Sequence, residues 1–388
     1  MKAFVGASVI ALAACSTMSP QSPLGGLPEA RGVRPAVAET VIYSFAASKQ
    51  QLNPNPGNLL YHNGTLFGTT QQGGPDSAGT VFAVTPSGSE KVLHTFYNSP
   101  DAFPGTSLAK ADGLLYGTIT FGGPKNQGAV FKITPSGNFS HDHDFNGPPG
   151  DGAHPVAGAI AVGDVLYGTT EYGGTNQNGT VFKVTPLGKK KILHAFGVGS
   201  DGADPYAGVI DVNGTLYGTT YFGGTAGLGT VFAVSSSGQE SILHSFAGGS
   251  DGQNPLFAGL VFFHGAIYGT TPSGGANNRG VVFRVTPEGT ETVLHSFSGG
   301  TTDGAMPQAG LVAFKGLLYG TTFTGGAKHL GTVFSITQSG TEAIVYSFGT
   351  APDGHNPSSS LTVVKGTLYG TTYSGGAHGD GTVFSLTP

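Results

Sequence analysis

The chain has 388 residues, 67 of them Gly and 24 Pro, with 25 Phe and 14 Tyr, no Trp and only 10% charged residues. Such a composition suits short strands joined by many tight turns and excludes a largely helical protein. The net charge is −5 and the 17 Lys and Arg residues are scattered, so there is no basic footprint for a polyphosphate and nucleic acid is not an expected partner.

The first predicted element is a targeting segment. Lys2 is followed by an apolar run from Val5 to Ala14 with small residues just ahead of Cys15, the layout of a secretory signal over residues 1–14. The run is too short to span a bilayer as a permanent helix. Leu12-Ala13-Ala14-Cys15 resembles the lipobox of bacterial lipoproteins. That resemblance implies an acylated Cys15, the lipid bilayer as a partner, and, with Ser16 following the Cys, an exported protein at the outer membrane or cell surface. No second cysteine is present for a disulfide, so stability must come from packing. Residues 15–38, rich in Pro, Gly and Ser without periodicity, read as the lipidated Cys and a flexible linker.

From residue 39 to 388 a single unit repeats. An aromatic followed by Gly-Thr recurs at Gly68, Gly117, Gly168, Gly218, Gly269, Gly320 and Gly370, at spacings of 49 to 51. The third copy alternates as four strands: A over 157–163, B over 165–170, C over 179–185 and D over 189–196. The A–B and C–D links are tight turns, whereas the B–C and D–A links are longer and vary between copies. A four-stranded meander that is apolar on both faces is a propeller blade. The chain enters with Glu39 to Phe45, a strand D without A, B and C, and stops at Gly381 to Pro388, a strand C without D. The two fragments complete one blade, whereas a solenoid would need polar caps at its ends. The expected fold is all-β: a seven-bladed β-propeller of four-stranded antiparallel blades, closed by the N-terminal strand.

The period, and a Gly pair after the second strand such as Gly173-Gly174, resemble the kelch class, although the kelch Trp is absent. The pattern LYGTTxxGGxxxxGTVFxxTPxG, seen from Leu166 to Gly188, is similar to the GloVer tandem repeat of choice-of-anchor proteins over nearly the whole mature chain. That resemblance implies a surface-anchored protein, in agreement with Cys15.

Comparing the copies separates scaffold from candidate site. The Gly of each YGTT predicts a close approach between adjacent sheets, and the Thr that follows (Thr69, Thr118, Thr169, Thr219, Thr270, Thr321, Thr371) predicts a hydroxyl bond to a neighbouring strand. His94, His143, His194, His244 and His295 share a slot with Tyr43 and Tyr346, so a half-buried ring with a polar tip is expected there. The Asp of DGxxP (Asp151, Asp201, Asp251, Asp303, Asp353, with Asp101 as a variant) offers one carboxylate per loop, which suits an Asx-turn; no metal or cofactor is expected.

The B–C and D–A links emerge on one face, where function is expected. That face carries Phe121, Tyr172, Tyr221, Phe222, Phe323 and Tyr373, the candidate ligand-binding rings, beside Asn126, Asn176, Asn254, Asn277 and Asn356. Rings beside amides suit a neutral polyhydroxylated ligand; the alternative is that the rings only cover the blade tops. His329, Asp353, His355, His378 and Asp380 fall on three consecutive loops and are the candidates for acid–base or metal chemistry, although no two stand at a recognised metal-ligand spacing. The expected function is a tethered surface binding or interaction module for glycans or protein partners. Its alternatives are a glycan-active lyase or hydrolase using the His and Asp cluster, and a purely structural envelope protein.

Overall fold

The computed structural model describes residues 37–46, 51–55, 57–98, 101–257 and 259–388; the signal segment, Cys15 and the linker up to residue 36 lie outside the described residues. Among the described residues every regular element is a β-strand. Blade 3 shows the unit: strand A (Ile160–Val162), B (Val165–Thr170), C (Thr180–Val184) and D (Lys190–Ala195) hydrogen-bond in that order, all antiparallel. Seven such sheets form a seven-bladed propeller, and their A strands ring a central channel of about 490 Å³. In blades 1, 2 and 7 a short strand ahead of A (Gln51–Pro54, Asp101–Pro104, Gly354–Pro357) pairs with a longer strand B and makes the sheet five-stranded.

Closure takes place in blade 7. The entering strand Glu39–Ser44 pairs antiparallel with Thr382–Leu386, and the Phe45 N–H donates to the Gly381 carbonyl. Each strand D leads into a Phe that meets the strand C Phe of the next blade, ring edge to ring face in six seams and tilted between Phe96 and Phe131, with centroids 5.1–5.7 Å apart. The pair Phe45–Phe82 joins blade 7 to blade 1 and completes a circuit of seven, every ring fully buried. Such a pair contributes about 0.5–1.5 kcal/mol beyond its burial.

The repeated glycine and threonine act at close quarters. A Cβ on Gly168 would lie 2.7 Å from the Phe182 ring, which faces it in register on the same blade. The close approach expected between adjacent sheets is therefore made inside the sheet: the glycine leaves room for the core ring of its own strand C. The following threonine crosses the seam in five blades, as in Thr169 Oγ1 donating to the Ala207 carbonyl (2.9 Å) and Thr270 Oγ1 to the Ala309 carbonyl (2.8 Å), whereas Thr219 and Thr371 Oγ1 make no such bond. Strand D carries a β-bulge in every blade, in blade 3 at Leu193, between His194 opposite Val181 and Ile192 opposite Phe182. The bulge carbonyl meets the C–D turn of the next blade; a Cβ on Gly238 would lie 2.4 Å from the Leu193 oxygen, and the residue holds φ +100°, so that turn is confined to glycine.

Candidate functional site at the mouth of the channel

The D–A segment of each blade contains one residue held at positive φ directly ahead of a proline: Asn53, Phe103, His154, Asp204, Asn254, Met306 and Asn356, with φ from 48° to 58°. Both the left-handed conformation and the following proline disfavour this geometry. It persists because the backbone is pinned from two sides. The N–H of each donates to the B–C loop of the preceding blade, as Asp204 to the Asn178 carbonyl, and its carbonyl can accept from its own blade, as Asp204 from the Tyr221 N–H. These residues therefore bridge neighbouring loops around the channel mouth, with Asn in three sectors and a different side chain in each of the other four.

Between blades 1, 2, 3, 5, 6 and 7 the mouth holds a cavity of about 200 Å³, bordered by Phe103, Phe257, Phe323, Tyr373 and Val156 together with Asn55, Gln71 and Gln308. Phe257 is the extra residue of blade 5, which has seven residues between Asp251 and Gly259 where blade 4 has six between Asp201 and Gly208. Its ring borders both this cavity and the channel below. The volume is below the ~300–1,000 Å³ of drug-sized pockets, so the cavity accommodates a single ring or side chain and not an extended ligand.

Blades 3 and 4 carry the ionisable part of the mouth. Glu171 is 9% exposed, and Tyr206 Oη donates to it at 2.6 Å. Burial, and then the nearby Glu171, push the Asp204 carboxyl up to about 6. Burial and the bond to Glu171 likewise raise Tyr206, while burial lowers His154. Among the described residues neither carboxylate is ion-paired with Lys, Arg or His. Aromatic rings surround the pair: Tyr206 stands edge-on to Tyr221 (5.3 Å) and Phe257 (6.3 Å), and Tyr172 to His154 (5.5 Å).

The candidate rings fall into two circles. Tyr221, Phe323 and Tyr373 stand directly after the Thr-Thr pair and are half-buried, and the latter two line the cavity. Phe121, Tyr172 and Phe222 stand one residue further out and are exposed. Four of the amides are used by the scaffold: Asn254 donates to the Tyr221 carbonyl, Asn356 to Phe323, Asn176 to Phe196 and Asn277 to Phe297. Asn126 turns the second B–C loop, its N–H bonded to the Gly123 carbonyl.

Of the titratable candidates, His329 and His378 are exposed at the tips of B–C loops. Asp353 accepts from Tyr346 Oη (2.8 Å) and the Gly349 N–H. His355 is half-buried with Nε2 unbonded, and the Asp380 carbonyl accepts from the Asn53 N–H. Among the described residues, His, Asp and Glu side chains close enough to share an ion fall elsewhere, on the seams between blades 3 to 6. Sequence reasoning missed Phe103, Glu171, Asp204, Tyr206 and Phe257. Their signal was available as positions that change from copy to copy: the inner residues of DGxxP for Phe103 and Asp204, the residue after Thr-Thr for Glu171, and the one or two residues after the proline for Tyr206 and Phe257.

Fold and mouth together define a closed propeller with a near-invariant scaffold and a variable rim. The chain belongs to the Gloeobacter/Verrucomicrobia repeat family, whose model matches residues 33–232 and again 165–384. A comparison with curated proteins finds no match. Among solved structures it is similar to a puromycin hydrolase (11% identity, 84% of this chain and 50% of that one, TM-score 0.53) and to the phage phi92 endosialidase (11%, 90% and 68%, 0.51). It is also similar to a gluconolactonase from Xanthomonas campestris (13%, 90% and 89%, 0.45). The chain thus spans half the length of the hydrolase, and at these identities the likeness concerns the fold.

Proposed function

We propose that the protein is a binding module whose ligand docks on the long-loop face over the channel mouth, and that the ligand is a glycan presenting one ring to the cavity. The reading is carried by one observation: Phe103, Phe257, Phe323 and Tyr373 border a cavity for a single ring beside the Asn55, Gln71 and Gln308 amides. Sugar faces stack on aromatic rings while their hydroxyls exchange hydrogen bonds with amides. Acylated Cys15 would tether this module to a membrane, at the outer membrane or cell surface, and a protein partner is the other occupant the same face could take.

The test is a glycan array followed by calorimetry with the oligosaccharide retained best. Phe257→Ala, Phe323→Ala and Tyr373→Ala are expected to weaken binding at least tenfold each with little change in melting temperature. Phe182→Ala, in the core of blade 3, serves as the folding control and costs about 3–5 kcal/mol. Retention of every array ligand by the three rim variants at wild-type affinity sinks the proposal.

A second reading, a glycan-active hydrolase or lyase, is favoured by Glu171 and Asp204, two neighbouring carboxyl groups of which one is raised to about 6. A carboxyl group raised toward neutral pH beside a second carboxyl group is suited to acid–base work. Under this reading Asp204→Asn and Glu171→Gln abolish the release of new reducing ends while leaving retention on the array unchanged. The histidines His329, His355 and His378 would then be dispensable, whereas loss of turnover on their joint replacement would return the activity to the other sector.

A further inference from the structure

The outer rim of the propeller holds a second set of chemical groups, at the seams between D strands. In blades 3 to 6 the ring residue near the end of strand D faces the DG aspartate that follows it, and in blades 3 to 5 it also meets the first residue of the next blade's strand D. Register makes these positions equivalent: Lys190 lies opposite Val184, Glu240 opposite Val234, Glu291 opposite Val285 and Glu342 opposite Ile336.

Three consecutive seams combine the same ligand types. His194, Asp201 and Glu240 meet between blades 3 and 4, His244, Asp251 and Glu291 between 4 and 5, and His295, Asp303 and Glu342 between 5 and 6. In each, one nitrogen and two carboxylate oxygens lie within 4.8 Å of one another. His Nε2 stands 3.4, 3.0 and 3.3 Å from its aspartate. The aspartates are locked in orientation by their own loops, as Asp251 by the N–H groups of Ala247 and Gly252.

Two independent observations point to a cation. The first is that Oε1 of Glu240, Glu291 and Glu342 is buried and makes no hydrogen bond. A buried carboxylate oxygen without a partner is costly. Burial and then Asp251 push Glu291 up to about 7, and burial raises Glu342 to about 7 as well. The second is supplied by the chain itself at the seam between blades 2 and 3. There the equivalent residue is Lys190, and its ammonium makes an ion pair with Asp151 beside His143. One seam thus brings its own positive charge to the aspartate, while five carry an acid in place of that lysine, Glu39 and Glu90 beside a tyrosine and Glu240, Glu291 and Glu342 beside a histidine that adds a nitrogen ligand.

We propose that the seams between blades 3 and 4, 4 and 5, and 5 and 6 each bind one divalent cation of the zinc type through their His, Asp and Glu side chains. One imidazole nitrogen with two carboxylates suits zinc, water completing the shell. Binding through Nε2 leaves the ring proton on Nδ1, and the ligand atoms must be free of protons to hold the ion. Each ion would clamp two blades that otherwise face each other with like charges, and a ligand taken only by the folded form raises the melting temperature.

The purified chain is stripped with EDTA, returned to metal-free buffer at mildly alkaline pH, equilibrated with zinc chloride and washed. Zinc per chain is then measured by atomic emission, and melting temperature with and without zinc. Three zinc ions per chain and a higher melting temperature are expected. The joint variant Glu240→Lys, Glu291→Lys, Glu342→Lys, which copies the Lys190 seam, should fold without metal, retain none and show no zinc-dependent shift. Lys190→Glu should raise the count to four. The proposal is overturned if the wild-type chain retains no zinc, if the triple lysine variant retains as much as wild type, or if Lys190→Glu leaves the count unchanged.

Discussion

Asp204 shows how one side chain inherits its chemistry from a backbone constraint. Its left-handed conformation is imposed by the fold and shared by six other residues ahead of a proline, while its carboxyl, placed near Glu171 and half-buried, is raised to about 6. A group whose folded pKa lies above its unfolded value contributes stability that is fully present below the unfolded pKa and is lost as the pH rises through the folded one. Wild type should therefore lose stability relative to Asp204→Asn as the pH climbs from about 4 to above 6. Melting temperatures of the two proteins across that range check this, and parallel curves would mean that burial and Glu171 do not raise the carboxyl. The DGxxP loop that holds Asp204 was legible in the sequence from Asp201, although Asp204 itself was not picked out. Its neighbour was not legible, because 33 positions separate Glu171 from Asp204 along the chain and only the blade-to-blade rotation joins them.

Among the elements, the entering strand and the bulged D strands set the limits of what repeats imply. Pairing of Glu39–Ser44 with Thr382–Leu386 was readable from the unmatched fragments at the two ends, since a strand C without its D leaves an open edge. If the seventh seam is as tight as the others, Phe45→Ala and Phe196→Ala should destabilise the protein alike, by about 3–5 kcal/mol each. Removing Glu39 to Phe45 altogether should cause aggregation. Chemical denaturation of the two point variants decides the matter: a cheap Phe45 substitution would mean a loose closure. The bulge at Leu193 and its equivalents carries no glycine or proline to mark it, so the alternation of "KKKILHAF" reads as an unbroken strand. Its consequence is spatial, because it presents a carbonyl to the glycine turn of the next blade.

For the whole molecule, a closed ring of near-identical blades separates stability from specificity. The Phe circuit and the Thr bridges are the same in most sectors, whereas the mouth carries five different side chains at one position across the seven blades, so a ligand site can change without disturbing the core. The proposed tether adds a location to that module. Cys15→Ser is expected to move the protein from the membrane fraction to the soluble or uncleaved precursor fraction, because no other apolar segment of the sequence is long enough to insert. Detergent phase partitioning of the variant beside wild type checks this, and an unchanged detergent-phase yield would count against the lipid anchor.

The number of blades, the order of strands within each and the closing strand were determined by the sequence alone. They follow from local properties: a strand's period, a turn's glycine, and the recurrence of Gly168 and its equivalents at near-constant spacing. Tertiary structure alone decided which side chains meet across a seam. Phe257 becomes part of the mouth because a one-residue insertion sits at the inner end of blade 5, and Glu291 meets His244 and Asp251 because the rotation between successive sheets brings together residues some 40 to 47 positions apart. A repeat unit specifies its own sheet through neighbouring residues, but contacts between units depend on the packing angle that all seven adopt when the ring closes.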